Sequence, residues 1–289
     1  MNQIRLMLVA AVCALAAPQG VTQEDVPESC KAAIAGESEN MQRWKPCFED
    51  AEPNSGPWFL AAVNLGSDAF YRNDHETAAY YYKLTSTERL NTVSDILLHT
   101  NRAATFNKTG DTKLASQDAL IVWRLYKAGE TRMPGTPLSD QLKFYVLMNV
   151  LEPLQKADPA AFEEAKTLFV VLPASDVYHR ANKAAALSNV GETEAALAES
   201  YILIEEMPKN AQILNNHCYM LHETGRNEEA EPFCRRALGV EPEASHIKHS
   251  LASVLAGLGR CEEAESLRIE AEMASPSTAL YSEPLVCTK

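Results

Sequence analysis

The sequence predicts an all-α protein built from stacked helix pairs, and two observations carry that prediction. The composition is rich in Ala, Glu and Leu and holds only 12 glycines in 289 residues, which favours helices. Gly191, Gly225 and Gly259 begin similar ten-residue blocks and are separated by 34 residues each time. A fixed period of this length is typical of arrays in which helix pairs stack on one another. We therefore expect an α-solenoid of about six antiparallel helix pairs.

The repeated blocks share more than their glycines. Small, apolar and proline positions recur with the same period, namely Leu187, Leu221 and Leu255, then Ala196, Ala230 and Ala264, then Pro208, Pro242 and Pro276. Each block has the pattern of two amphipathic helices joined at the glycine, and the proline that follows the second helix stops further winding. Glycine suits the joint because it adopts the positive φ that a tight turn between helices often needs.

This pattern resembles the tetratricopeptide repeat (TPR), in which a small residue stands eighth, glycine fifteenth, alanine twentieth and proline thirty-second. The three clear repeats are residues 177–210, 211–244 and 245–278. They depart from the family pattern at position twenty-four, where the usual aromatic residue is replaced by Ser200, Cys234 and Arg268. The resemblance implies a right-handed superhelix of antiparallel helix pairs.

Fainter units of the same kind precede the clear repeats. One places Gly66 eighth and Ala78 twentieth, and the next has Ala103, Gly110 and Ala115 in register, before a stretched pair that ends at Pro173. The predicted organisation is a signal peptide at 1–16, an N-terminal helical cap with a disulfide at 17–57, degenerate TPR-like pairs at 58–176, three TPR repeats at 177–278 and a C-terminal tail at 279–289.

The first residues, MNQIRLMLVAAVCALA, have the pattern of a secretory signal peptide. Arg5 is the charged flank, residues 6–17 are apolar, and Ala14-Leu15-Ala16 provides small residues at a cleavage site. An uncleaved anchor is the alternative, but this apolar stretch is shorter than the roughly twenty residues that a membrane-spanning helix needs. We expect cleavage, a periplasmic or secreted location, and no stable membrane insertion afterwards.

Six cysteines remain after such a cleavage, an even number in a chain sent to an oxidising compartment. In the TPR frame Cys218 stands eighth and Cys234 twenty-fourth in one repeat, so they face one another from antiparallel helices. A disulfide is the preferred interpretation, with two buried free thiols or a metal site as alternatives. Two further pairs are predicted, Cys30 with Cys47 across an N-terminal hairpin and, by elimination, Cys261 with Cys287.

The resemblance also implies a partner-binding groove. TPR proteins usually bind partners along a concave wall formed by positions two, five, six, nine, twelve and thirteen of each first helix. Here those positions give Tyr178, Asn182, Asn189, Gln212, Asn215, Asn216, Tyr219, His222, His246 and His249. Amides both donate and accept hydrogen bonds, which suits the backbone of an extended peptide. The alternative is a solvated helix face without a partner.

Several function classes are disfavoured. A net charge of −13 at pH 7 opposes binding to nucleic acid. No GxSxG, HExxH, phosphate-loop or GxGxxG motif occurs, so we predict no catalytic residues, no cofactor and no enzyme activity. The acidic residues that open the second helices, Glu228, Glu229, Glu262 and Glu263, complement the helix dipole and are expected to be structural.

We therefore expect a non-enzymatic exported scaffold or adaptor that binds a protein or an extended peptide in its groove, with a role in assembling an envelope complex. The alternative is a small-ligand or metal-binding solenoid that uses a wall formed by His222, His246 and His249. Three imidazoles on a surface bind a metal tightly only when neighbouring groups orient them, so the metal interpretation is the weaker one.

Overall fold

The regular structure is helical throughout the part of the chain that can be described. The computed structural model describes residues 26–35, 41–85, 95–132, 138–174, 176–276 and 278–288. Within these ranges there are fifteen α-helices, one short 3-10 helix and no strand. The predicted all-α class is therefore confirmed. The predicted signal peptide at 1–16 lies outside the described residues.

The chain divides into two compact units, an N-terminal unit that ends at Leu172 and a C-terminal unit that begins at Pro173. The helices of the N-terminal unit are α1 (Glu28–Ala35), α2 (Trp44–Asp50), α3 (Gly56–Tyr71), α4 (His75–Lys83), α5 (Ile96–Lys108), α6 (Thr112–Arg132), α7 (Asp140–Ala157) and α8 (Pro159–Val171), with the 3-10 helix (Met41–Arg43) before α2.

Local sequence explains where several of these helices begin. Ser55 caps α3 by accepting a hydrogen bond from the Trp58 N–H, and Pro57 lies in the first turn, where its missing N–H costs nothing. Asp158 separates α7 from α8 and accepts the N–H groups of Ala160 and Ala161. A single capping residue thus ends one helix and begins the next.

The interior of the N-terminal unit contains a buried polar cluster as well as apolar side chains. The Asp118 carboxylate on α6 lies 2.5 Å from His99 Nδ1 and 3.0 Å from Arg102 Nε, both on α5. The Arg102 guanidinium also donates to the Tyr82 carbonyl at 2.7 Å, which connects α5 to α4. The Arg102 guanidinium thus satisfies both the Asp118 carboxylate and the Tyr82 carbonyl. These buried polar contacts hold three helices together.

The helices of the C-terminal unit repeat with the period that the sequence shows. They are α9 (Val177–Asn189), α10 (Thr193–Glu206), α11 (Ala211–Glu223), α12 (Asn227–Val240), α13 (Ser245–Gly257), α14 (Cys261–Ala274) and α15 (Ala279–Ser282). First helices begin 34 residues apart, and so do second helices. The three turn glycines, Gly191, Gly225 and Gly259, all have positive φ, between 75° and 83°. The repeats are therefore three copies of one helix pair.

Apolar side chains from successive helix pairs form a continuous core in this unit. Leu203 and Ile204 of α10 pack with Ile213 and Leu214 of α11, and the same cluster reaches Ile247 of α13. Each pair therefore buries its apolar face against the next pair, as in other repeat arrays.

The C-terminal tail packs on the last helix pair. Tyr281 of α15 is buried, and its carbonyl accepts a hydrogen bond from Arg268 Nη1 at 2.7 Å. The Thr288 N–H donates to the Ala256 carbonyl at 3.0 Å, at the end of α13. The tail thus packs against the third helix pair, as a capping element of a repeat array does.

Among the residues that the structure describes, none of the helices combines the length and apolar character that a membrane crossing requires.

Candidate functional site

The C-terminal unit contains a cleft of about 360 Å³ that lies along α9 and α11 and reaches α13 at Ser250. Small side chains of α9 form one side of it, namely Ala181, Ala184, Ala185 and Ser188. Leu203, Ile213 and Met220 provide larger apolar surface. The remaining lining is polar and uncharged, namely Asn189, Ser200, Asn215, Asn216, Tyr219 and Ser250. The cleft is thus mainly apolar, with a few amides and hydroxyls at fixed places.

Asn215 on α11 is the buried polar side chain of this cleft. It is only 6% exposed, and its Oδ1 is buried without a hydrogen-bond partner. The neighbouring amide differs, because Asn216 is exposed and its Oδ1 accepts from Gln212 Nε2 at 2.7 Å. A buried acceptor without a donor costs about 1–3 kcal/mol. Asn215 is therefore a polar group whose hydrogen bonding the chain itself leaves incomplete.

The structure brings four of the ten predicted groove residues into the cleft, namely Asn189, Asn215, Asn216 and Tyr219. Tyr178 and Gln212 are exposed on the same first helices, outside the cleft lining. Asn182 donates from Nδ2 to the Tyr178 carbonyl at 2.9 Å, a bond within its own helix. The predicted wall is thus a mixture of cleft residues and more peripheral ones.

Two of the three histidines of the predicted wall make contacts with different residues. His222 Nδ1 lies 2.6 Å from Asn227 Oδ1, and His249 is buried against the ring of Tyr281, with 5.0 Å between ring centroids. Burial, followed by the positive charge of Arg268, lowers the pKa of His249. His246 is half-buried on α13. Among the described residues, no group of three or more His, Cys, Asp or Glu side chains is placed to hold a metal ion.

The predicted cysteine pairs have the geometry of disulfides. The Cα–Cα distances are 4.4 Å for Cys30 with Cys47, 5.4 Å for Cys218 with Cys234, and 5.7 Å for Cys261 with Cys287. All three lie within the range of about 4.4–6.8 Å that a disulfide bridges. The Cys218 pair joins α11 to α12 inside the middle repeat, and the Cys261 pair joins α14 to the tail. Of the elements linked in this way, α11 also lines the cleft.

Two of the acidic residues that open second helices, Glu194 and Glu263, form ion pairs between repeats. Arg226 contacts both Glu229 of its own helix and Glu194 of the preceding repeat, with N–O distances of 2.7 and 3.1 Å. Arg235 reaches Glu263 of the next repeat at 2.7 Å. These pairs connect neighbouring second helices, in keeping with a structural role for the acidic positions.

Sequence reasoning missed the small residues on α9 that make room for the cleft. Ala181 and Ala185 stand at wall positions five and nine of the first repeat, and Ala184 stands eighth. The sequence does contain a signal for the cleft, because an alanine at a wall position leaves space where the neighbouring repeats have asparagine, histidine, tyrosine or serine. The pattern of polar residues alone does not reveal this space.

An all-α array of helix pairs with a cleft along its first helices is the architecture of a repeat protein. Similar solved structures identify the type of repeat. A tetratricopeptide repeat protein from Parabacteroides merdae is similar, with a TM-score of 0.57 and 16% identity over 91% of this chain and 96% of that one. The APC/C hetero-tetramer Cut9–Hcn1 is similar with a TM-score of 0.51 and 14% identity, over 89% of this chain and 48% of that one. The chain therefore has a TPR-like fold, as its repeats predict.

No protein-family model matches the sequence, and no curated protein matches it. The likeness therefore rests on three-dimensional structure and on the 34-residue period.

Proposed function

We propose that this protein is a non-enzymatic scaffold that holds a segment of a partner protein across the first helices of its C-terminal unit. The observation that carries the proposal is the cleft shared by α9, α11 and α13. A site that crosses successive repeats suits an extended ligand, since each repeat presents equivalent positions along one line. Fixed amides beside apolar surface suit a polypeptide, whose backbone both donates and accepts hydrogen bonds.

The proposed place of action is the periplasm or the exterior, where the protein would act as an adaptor during assembly of an envelope complex. The support is the signal-like sequence at 1–16 together with three cysteine pairs at disulfide distance. Disulfides form and persist in oxidising compartments and are rare in the cytosol. The charge of −13 keeps such a protein away from nucleic acid and anionic lipid.

Site-specific photo-crosslinking in the producing cell tests the scaffold proposal. A photoreactive phenylalanine derivative replaces Tyr178 or Tyr219, which are exposed on first helices, and Tyr201, which is exposed on the second helix α10, as the matched control. We expect Tyr178 and Tyr219 to yield one and the same protein adduct and Tyr201 to yield none. Adducts of equal yield at all three positions, or at none, would contradict binding along the first helices.

A further inference from the structure

The side chains around the cleft point to the chemistry of its occupant. Every side chain that lines it is uncharged, so a charged group placed there would lose its hydration without gaining a counter-ion. Ala181, Ala184 and Ala185 line the cleft together with Ile213 and Met220, and the small alanine side chains leave space for an apolar side chain of moderate size. A neutral, aliphatic group is therefore the favoured occupant of this part of the cleft.

Asn215 adds a second requirement, which is a hydrogen-bond donor on the ligand. Its side chain lines the cleft, is 94% buried, and has an Oδ1 without a donor. Rotation about the terminal torsion of an asparagine is soft, so the amide oxygen can turn toward a donor in the cleft. The missing partner is an N–H or O–H group that a ligand brings in. A backbone N–H is the donor that every residue of a peptide except proline provides.

The span of the cleft indicates the length of the bound segment. It runs from α9 across α11 and reaches α13 at Ser250, and packed helices lie about 8–10 Å apart, so the axes of these three helices span roughly 16–20 Å. An extended chain advances about 3.3–3.6 Å per residue, which corresponds to about five or six residues.

We propose that the cleft binds an extended segment of about five or six residues with an uncharged aliphatic side chain seated beside Ala181 and Ala185, and a backbone N–H that donates to Asn215 Oδ1. This inference rests on the scaffold function proposed above and specifies the kind of segment that is held. A partner segment with a charged residue at the seated position is excluded by the same chemistry.

Selection from a displayed library of random seven-residue peptides tests this assignment on the full-length, oxidised protein. We expect the selected peptides to share one position occupied by Leu, Ile, Val or Met, and replacement of that residue by Asp or Lys to weaken binding at least tenfold in fluorescence anisotropy. Enrichment of charged residues at that position, or the absence of any selected peptide, would overturn the assignment.

A second experiment tests the hydrogen bond to Asn215. Methylation of single backbone nitrogens along a selected peptide should reveal one sensitive position, with an affinity loss of about three- to tenfold. In Asn215→Leu the unmethylated peptide should lose affinity by the same factor, and methylation at that position should have no further effect. Additive losses from methylation and from the substitution would rule out this bond.

Filling the cleft gives a test that does not depend on removing a polar group. Ala185 is exposed and lines the cleft, so Ala185→Phe should fill it and reduce peptide affinity more than tenfold. Ala198→Phe on α10 is the matched control, because Ala198 is equally an exposed helical alanine but lies outside the lining, and it should bind like the wild type. Unchanged binding by Ala185→Phe would overturn the assignment.

The outcomes for the cleft and for the scaffold function can be told apart. If Ala185→Phe still forms the crosslinked adduct at Tyr178, the scaffold function stands and the cleft assignment fails. If the wild type forms no adduct at Tyr178 or Tyr219, the scaffold function itself fails, whatever peptides the cleft selects.

Discussion

At the scale of single residues, His217 is a titratable group held in an apolar environment. It is 4% exposed on α11, its Nδ1 lies 3.1 Å from Ser200 Oγ, and its ring lies 4.5 Å from that of Phe233. Burial, followed by the positive charge of Arg226, lowers the pKa of His217 to about 4. Glu229 acts weakly in the opposite direction. The imidazole is therefore neutral in the folded protein at neutral pH.

This lowered pKa predicts a loss of stability in mild acid. Below pH 6.5 the unfolded chain binds a proton at His217 that the folded chain does not bind until the pH approaches 4. The free energy of unfolding therefore decreases as the pH falls from about 6.5 to about 4. Between pH 7 and pH 5 the expected loss is about 2 kcal/mol. His217→Leu should remove this component, which urea unfolding at the two pH values measures. An identical pH dependence in the variant would refute the prediction.

The residues that line the cleft illustrate what sequence can predict at this scale. The repeat frame correctly indicates that Asn215, Asn216 and Tyr219 occur on one helix, and all three line the cleft. It does not distinguish the buried Asn215 from the exposed Asn216, because burial depends on how closely α9 and α13 approach α11. His249 is buried for a similar reason, since Tyr281 from outside the repeats packs on it. The 34-residue period alone does not indicate which residues pack on Asn215 or His249.

At the scale of secondary-structure elements, the turn between paired helices needs a residue with positive φ. Gly225 has φ of 76° and open space around the position of a Cβ atom, and in the N-terminal unit Asn73 occupies a similar turn with φ of 60°. Gly225→Ala should therefore destabilise the protein by about 1 kcal/mol. Gly225→Asn should cost less, because asparagine tolerates this conformation better. Urea unfolding followed by circular dichroism checks this order, and equal losses in the two variants would contradict it.

Gly259 occupies the same turn position in the last repeat but has a different neighbour. A Cβ atom there would lie 2.8 Å from the Thr288 carbonyl oxygen of the tail. Gly259→Ala should therefore destabilise more than Gly225→Ala and also loosen the tail. Faster amide exchange at Thr288, whose N–H bonds to the Ala256 carbonyl, would report that loosening. Equal stability losses in the two variants, with no change at Thr288, would show that the tail does not restrict the turn.

The Cys218–Cys234 pair predicts a covalent link between paired helices, at positions where the two neighbouring repeats have no cysteine. The corresponding positions hold Ala184 and Ser200 in the first repeat, so Cys218→Ala/Cys234→Ser reproduces a natural pair of side chains at this site. A link between residues 16 apart should contribute about 3 kcal/mol. We expect that loss under oxidising conditions in urea unfolding. Under reducing conditions, where the wild type is also unlinked, the variant and the wild type should be closely similar.

Element boundaries were predictable where turn and stop residues recur. In the C-terminal unit glycine marks each turn and proline follows each second helix, so the period and the helices agree. The stretched pair before Pro173 is different, because α8 begins directly after Asp158 without a glycine turn. Local capping, rather than repeat register, determines that boundary. The predicted domain boundaries after residues 57, 176 and 278 stay predictions.

At the scale of the whole molecule, the cysteine pairs divide between the two units. The Cys30–Cys47 pair lies in the N-terminal unit, and the other two pairs lie in the C-terminal unit. Each unit therefore contains its own links. The three tryptophans, Trp44, Trp58 and Trp123, all lie in the N-terminal unit, so their fluorescence reports on that unit.

A fragment of residues 173–289 is expected to fold by itself. Stability in repeat arrays comes from contacts between neighbouring pairs, and about three repeats are needed to bury a sufficient core. This fragment has three pairs, the apolar cluster that joins α10 to α11, and both disulfides. It should show helical circular dichroism and a cooperative urea transition. Residues 211–289 form the matched control, which keeps both disulfides but loses the first pair and exposes Leu214. We expect the control to be markedly less stable, so equal stability of the two fragments would show that the disulfides, rather than stacking, maintain this unit.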